Sequence, residues 1–211
     1  MHDAGTLDHA RWVSLWNRLG AQGSGRSIFA YLASAYSEPA RTYHNSQHIL
    51  DCLSQLDLSR ELARRPEEVE AALWFHDAVY TPGAADNEDR SAQLAEIALA
   101  ACGVPLETGR RVAELILATR HLIIPQDLDA QLLCDIDLSI LGRDPAAFDQ
   151  FESAIRREYA QVDEVEYRRQ RGTVLARFLS RDVLYQTEFF RIRYEEQARI
   201  NLARAMEQLA P

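Results

Sequence analysis

A histidine and an aspartate lie side by side within an apolar stretch of this sequence. His76 and Asp77 follow the segment 71–75 (AALWF) and precede Ala78 and Val79. A carboxylate in such surroundings is costly unless a partner or a cation neutralises it. An imidazole beside a carboxylate also forms half of a site for a divalent metal ion. An isolated pair is more often a core histidine hydrogen-bonded to its neighbour, so the metal interpretation depends on further ligands.

His44 and His48 are the nearest candidates upstream. His48 borders the apolar face of a predicted helix, which Asn45 or Ser46 can cap. If that helix has begun by His44, the spacing of four residues puts both imidazoles on one face. Each histidine also has an ordinary explanation. His48 can be a hydrogen-bonded core residue, and His44 can be an exposed residue at the start of the helix.

Two aspartates occur within a later apolar helix, which is predicted from Asp127 to Gly142. Asp135 and Asp137 are two residues apart, so they lie about 200° apart around the helix axis. Only one of them can therefore face the doublet. Helix caps, dipole partners or pairing with arginine explain one buried aspartate more easily than two.

The complete candidate set contains two imidazoles and two carboxylates: His48, His76, Asp77 and either Asp135 or Asp137. Such a mixture suits Mn, Fe, Co, Ni or Zn and leaves coordination positions open for water. All four side chains lie in or beside apolar helical stretches, so separate explanations for each of them are poor. The set predicts a divalent metal centre.

His121 and Glu88 are further candidates for the same site. His121 closes a predicted helix, where a histidine also interacts favourably with the helix dipole. Glu88 lies in the first turn of another helix, which Asp86 or Asn87 can cap. Because the loop between the doublet and Glu88 is short, a role in the site and a purely helical role both stay open.

The order of these motifs resembles the HD superfamily of metal-dependent phosphohydrolases. The matching segments are YHNSQH at 43–48, FHDAVY at 75–80, DNE at 86–88 and DIDLSILG at 135–142. More narrowly, they look like a bacterial branch described only as predicted HD phosphohydrolases. The first and last segments are also similar to motifs of the cyclic-nucleotide phosphodiesterases. The resemblance covers about residues 41–142.

The resemblance implies a role for each candidate. It makes His48, His76, Asp77 and Asp137 the metal ligands, and it prefers Asp137 to Asp135 because Asp137 begins the Asp-Leu-Ser match. The metal would generate a bound hydroxide near neutral pH and polarise the phosphoryl group.

In the same scheme His44 is the general acid that protonates the leaving oxygen. Asp77 is catalytic as well as a ligand, because it can bridge to a second, mostly water-bound cation such as Mg. Four residues are candidates for supporting the ligands or contacting substrate: His121, Glu88, Asp135 and Arg41.

The implied activity is hydrolysis of a phosphomonoester or phosphodiester with a small, nucleotide-like substrate. Specificity for cyclic nucleotides does not carry over, because the phosphodiesterases have a much larger catalytic domain with a nucleotide-selecting pocket. The first alternative is a helical regulatory or interaction module in which the metal is only structural. A di-iron oxygenase of the same superfamily ranks lower, since it needs two more histidines between the doublet and the last aspartate, where this chain has only His121.

Helices are predicted along the whole chain, and no segment shows the alternation typical of a strand. Pro66 suits the first turn of the helix that leads to the doublet. The chain from Pro145 onward predicts three amphipathic helices, with breaks near residues 162–163 and 180–181. The expected fold is all-α: a single-domain helical bundle of the HD type with its motif core at about 41–142 and a C-terminal helical extension over 145–211.

Composition limits the partners of this protein. A net charge of −9 and a pI near 5.2 argue against binding to nucleic acid or to an anionic membrane. The sequence shows no secretory signal and no stretch of about 18 apolar residues. Three scattered cysteines in apolar contexts predict reduced thiols in a cytoplasmic protein. Exposed apolar residues on helices leave room for a homodimer.

Five arginines lie within residues 168–181, which makes this stretch locally basic. Such a stretch usually forms a solvated face with ion pairs. Contact of one or two of these arginines with an anionic substrate is the alternative.

Overall fold

A computed structural model describes residues 6–209 of the chain. Within that range the secondary structure is entirely helical, with ten α-helices and no strand. This confirms the all-α prediction. The chain divides into two compact units, Met1–Cys134 and Asp135–Pro211.

The first unit contains seven helices, the last of which continues across the division. Pro66 occupies the first position of its helix and Asn45 caps the one before it, as the sequence predicts. The bounds are α1 His9–Arg18, α2 Arg26–Ala35, α3 Ser46–Ser59, α4 Pro66–Phe75, α5 Asn87–Ala101, α6 Leu106–Ala118 and α7 Leu128–Asp137. A short 3-10 helix, Arg60–Leu62, follows α3.

The second unit contains three long helices, whose number and breaks match the prediction from the sequence. They are α8 Pro145–Glu158, α9 Glu164–Leu179 and α10 Glu188–Leu209. The basic stretch on α9 forms ion pairs with acidic neighbours, as its ordinary interpretation requires. Arg168 pairs with Glu164, Arg169 with Glu166, and Arg171 with Glu152.

The prediction of one helix from Asp127 to Gly142 is wrong at the C-terminal end of that helix. The α-helix stops at Asp137, and a 3-10 helix continues over Leu138–Gly142. Side chains from later in the chain donate hydrogen bonds to carbonyl groups of this segment. The hydroxyl of Tyr185 donates to the Leu138 carbonyl, and the amide of Asn201 donates to the Leu141 carbonyl, both at 2.9 Å. These side-chain bonds replace the next turn of α-helical bonds.

An aromatic cluster packs α1 against the end of α4. Trp12 stacks on Trp16 with ring centroids 4.9 Å apart, and it meets the edge of Trp74 at 5.4 Å. Phe75, the last residue of α4, lies 6.0 Å from Trp12. All four rings are almost fully buried. The residues immediately before His76 are therefore fixed by the largest side chains of the first unit.

Glu70, one helical turn before Trp74 on α4, is a buried carboxylate that the sequence does not single out. It is 1% exposed and accepts hydrogen bonds from Arg11 on α1, from Arg18 and from Arg60. A buried charge is tolerated when partners of opposite charge also satisfy its hydrogen bonds. The three guanidinium groups therefore tie α4 to α1 and to the 3-10 helix after α3.

Gly25 provides a test of how the aromatic cluster is supported. It begins α2 with a left-handed φ of 58°, and an added Cβ would lie 2.8 Å from Trp12 Nε1 and from atoms of the Trp16 ring. We predict that Gly25→Ala costs about 2–5 kcal/mol in the free energy of unfolding. Left-handed strain accounts for about 1–2 kcal/mol and overpacking for the rest.

Gly20→Ala is the matched control, because Gly20 is also left-handed at φ 72° but has no atom within 4 Å of the added Cβ. It should cost only the backbone strain, about 1–2 kcal/mol. Urea unfolding followed by tryptophan fluorescence measures both variants. Equal losses would contradict the packing described here.

Candidate metal centre

His76 is held in one orientation by the end of α4. Its backbone N–H donates to the Ala72 carbonyl at 2.8 Å, so it caps the helix, and Asp77 lies in the turn that follows. The ring Nδ1 lies 2.9 Å from the Leu73 carbonyl, which can only accept a hydrogen bond. In the neutral ring Nδ1 therefore carries the proton, which leaves the Nε2 lone pair for a metal ion. This is the tautomer that a metal ligand needs.

His48 comes from the first turn of α3 and is buried. Asn45 caps the helix by accepting hydrogen bonds from the backbone N–H groups of Gln47 and His48. The helix begins only at Ser46, so the prediction that helical spacing aligns His44 with His48 is wrong. Asn45 has an extended backbone conformation, and His44 lies in the turn before it. The ring centroids of His44 and His48 are nevertheless 6.0 Å apart.

Three donor atoms converge where α3 meets the turn after α4. His48 Nε2 and His76 Nε2 are 3.0 Å apart. Asp77 Oδ2 lies 3.0 Å from His76 Nε2 and 3.4 Å from His48 Nε2. Ligands about 2.0–2.2 Å from one ion lie about 3.0 Å apart in an octahedral site and about 3.4 Å apart in a tetrahedral one. The triangle therefore has the size that a single divalent ion requires.

Cys52 is a neighbour of this triangle that the sequence reasoning missed. Its Sγ is 3.8 Å from both ring nitrogens of His48. One donor atom each of His48, Cys52 and His76 lies within 4.8 Å of the others. The sequence contains a signal for this residue, because Cys52 follows His48 by four residues and so lies on the same helical face. This buried group of histidine, cysteine and aspartate side chains could hold a metal ion.

The charge of Asp77 is stabilised by the rings around it. Burial acts to raise the pKa of this carboxyl group. While these rings are protonated, the positive charges of His76 and His44, with hydrogen bonds from His48 and His76, outweigh burial and hold the pKa well below its ordinary value. A carboxylate that stays ionised beside two imidazoles is suited to bind a cation.

Arg41 supports the turn that carries Asp77. Its guanidinium donates to the backbone carbonyls of Asp77 and Ala78, and its Nε donates to Glu38 at 3.0 Å. The side chain is buried and lies beside the rings of Tyr36 and Tyr80. These contacts give Arg41 a positioning role, because its donors are directed at the protein's own backbone.

Helix α5 holds the segment that follows the doublet. Ser91 Oγ accepts from the Val79 N–H and donates to the Val79 carbonyl, at 3.0 and 3.2 Å. The Asn87 side chain bonds both the N–H and the carbonyl of Thr81, each at 2.9 Å. Asp86 occupies the N-cap position of α5, as expected, but the expected side-chain capping bond is not formed. Asn87 bonds back to the loop instead.

His44, the candidate general acid, lies at the edge of the group. It is half-buried, and its ring stacks on Tyr80 with centroids 4.1 Å apart. Tyr43 meets it edge-on at 5.0 Å. His44 is also close enough to Asp77 to lower the pKa of the Asp77 carboxyl group. The ring is therefore oriented by aromatic neighbours while part of it faces solvent.

The other candidates have surroundings of their own. Glu88 lies 4.0 Å from Arg120, which also pairs with Asp89. His121 follows α6 as a buried residue with a left-handed φ of 54°. Roles for Glu88 and His121 in the site stay predictions.

Asp135 and Asp137 are described with the second unit. Asp135 accepts hydrogen bonds from the backbone of Gln186 and Thr187 and from the Thr187 hydroxyl. Burial raises its pKa to about 6 against those bonds. Asp135 thus has a structural explanation at the start of α10. Asp137 is the half-buried last residue of α7, and its role as a ligand stays a prediction.

Comparisons with known proteins supply no relative. No family model, no curated protein and no solved structure matches this chain. Among residues 6–209, none of the helices has the length and apolar character that crossing a bilayer would need. Function must therefore be argued from the geometry of the site.

Replacing Arg41 tests whether it positions the doublet. Arg41→Met keeps the aliphatic stem but leaves the carbonyls of Asp77 and Ala78 without their donors. We predict a loss of about 1–3 kcal/mol in the free energy of unfolding, measured with urea. Arg110→Met is the control, because Arg110 is exposed and has no ion pair among the described residues. Its effect should stay within about 0.5 kcal/mol. Losses of equal size would contradict a positioning role for Arg41.

Proposed function

We propose that this protein is a metal-dependent phosphohydrolase of the HD type. The observation that carries the proposal is the triangle of His48 Nε2, His76 Nε2 and Asp77 Oδ2, with edges of 3.0 to 3.4 Å. His48, His76 and Asp77 would hold the ion, and Asp137 would be the fourth ligand that the sequence predicts. The ion would be Mn, Fe, Co, Ni or Zn, with Mg at a second position next to Asp77. When bound, it supplies a Lewis acid that polarises a phosphoryl oxygen and acidifies a water molecule.

The protein's own residues would prepare the site for this chemistry. Leu73 fixes the His76 tautomer through its carbonyl, and Arg41 fixes the backbone of the turn. Protonated imidazoles keep Asp77 ionised. A bound cation would displace the protons of His48 and His76, so two neutral imidazoles and one carboxylate would meet the ion together. Preorganised ligands of this kind need little rearrangement during a reaction.

His44 is the proposed proton donor to the leaving oxygen. The ring is half-buried beside the ligand group, a position from which an imidazole can act as a general acid. Stacking on Tyr80 holds the ring in one plane beside the ligand group. The substrate class, a small phosphomonoester or phosphodiester of nucleotide-like character, rests on the motif resemblance.

A helical module with a structural metal is the second candidate function. The thiol of Cys52 favours it, because this side chain adds another buried donor beside His48. Sites in which the protein fills every coordination position are typically structural, whereas catalytic sites keep a position open. The phosphohydrolase proposal predicts that turnover depends on His44, whereas a module with a structural metal would show no turnover.

His44→Gln tests the catalytic proposal. With p-nitrophenyl phosphate and bis-p-nitrophenyl phosphate as probes, the wild-type protein should hydrolyse at least one of them, and chelation should abolish this activity. We predict that His44→Gln lowers kcat by about 10²–10⁴-fold, because general acid catalysis contributes that much. The metal content should not change, since His44 is not a proposed ligand.

His9→Gln is the control, because His9 is an exposed histidine at the start of α1. It should leave kcat unchanged. Full activity in His44→Gln would remove the assigned proton donor. A wild-type protein that binds metal but hydrolyses neither probe would favour the structural module.

A further inference from the structure

Cys52 has surroundings that a buried structural thiol does not need. It is 2% exposed and lies one turn after His48 on α3. Among the described residues, the polar partners of its Sγ are the two ring nitrogens of His48, each at 3.8 Å. Cys134 is a useful contrast, because its buried thiol donates to the Ala118 carbonyl at 3.4 Å. The Cys52 sulfur instead faces groups that bind metals.

The distances bring the Cys52 sulfur close to the position of a further ligand. A thiolate at about 2.3 Å and an imidazole nitrogen at about 2.0–2.1 Å from a tetrahedral metal lie about 3.6 Å apart. The observed separation of 3.8 Å from Sγ to His48 Nε2 is close to that value. Because Nδ1 is equally distant, the sulfur lies beside the imidazole and has to move toward Nε2 to bind the same ion. The sulfur also lies within 4.8 Å of the donor atom of His76.

We propose that Cys52 is a thiolate ligand of this centre and makes it selective for zinc-like ions. The inference rests on the metal centre of the proposed function and adds to it the class of metal. Sulfur ligands favour Zn²⁺ and Co²⁺, whereas Mg²⁺ and Mn²⁺ prefer oxygen ligands. On binding, the thiol proton leaves to solvent and a sulfur–metal bond forms, with no change of oxidation state.

The donors that the first unit supplies match the charge of a divalent ion, and the predicted Asp137 ligand would add a third negative charge. Two neutral imidazoles from His48 and His76 contribute none, while the Asp77 carboxylate and a Cys52 thiolate contribute two negative charges. A divalent ion neutralises both, which reduces the cost of burying them. An ion that prefers oxygen would gain less from the sulfur and would leave the thiol protonated.

Cobalt substitution tests the proposal with a spectroscopic signal that does not depend on activity. The full-length apoprotein is titrated with Co²⁺, and a thiolate ligand gives a sulfur-to-cobalt charge-transfer band in the near ultraviolet. We predict this band in the wild type and its loss in Cys52→Ser. Cys102→Ser is the control, because Cys102 is a half-buried thiol at the end of α5, and it should keep the band.

Competition between Zn²⁺ and Mn²⁺ for the site provides a second test, which compares the affinities for the two ions. Cys52→Ser should weaken Zn²⁺ binding by at least about tenfold, as loss of even a supporting group does. Its affinity for Mn²⁺ should stay the same. An unchanged preference for Zn²⁺ in a folded Cys52→Ser protein would overturn the proposal.

The outcomes separate this inference from the proposed function. Stoichiometric Co²⁺ binding without a thiolate band in the wild type would overturn the role of Cys52 and leave the metal centre intact. Because the Co²⁺ spectrum of the wild type needs no variant, this test remains valid even if Cys52→Ser fails to fold. Absence of any Co²⁺ binding in the wild type would overturn the metal centre and the Cys52 assignment together.

Discussion

The negative charge of Asp77 is the constraint on which the rest of the site depends. This carboxylate follows the most apolar helix of the first unit, where an isolated charge would be strongly unfavourable. The structure keeps it ionised by surrounding it with imidazoles, two of which place their Nε2 atoms 3.0 and 3.4 Å from Oδ2. Protonated imidazoles can balance this charge, and a divalent cation at the same point would balance it with both rings neutral. The group therefore could hold a metal ion.

Much of the first unit keeps those donor atoms in place. The rings of Trp12, Trp74 and Phe75 fix the end of α4, and Arg41 fixes the backbone of the turn beyond it. One turn earlier on α4, Glu70 binds three arginines, two of them on α1. Stability and site geometry thus share the same helix, so changes in the aromatic cluster should also displace the ligands.

Features with local causes could be predicted from the sequence, and features with distant causes could not. Pro66 at a helix start and Asn45 at a cap act within one turn, so their patterns were sufficient. The end of α7 depends on Tyr185 and Asn201, far along the chain, and the prediction there was wrong. The three arginines around Glu70 are similarly remote in sequence. Cys52 was missed although its spacing from His48 was visible, because apolar neighbours made it resemble an ordinary core thiol.

The most direct test of the metal centre is the metal content of the purified protein, measured by inductively coupled plasma mass spectrometry. The wild type, incubated with Mn, Fe, Co, Ni and Zn and then desalted, should retain about one or two ions per chain. Asp77→Asn should lose them, because the amide cannot supply the charge. Asp51→Asn, an exposed aspartate on α3, should retain them. A wild type that takes up none of these metals, or an Asp77→Asn variant that keeps them, would contradict the account.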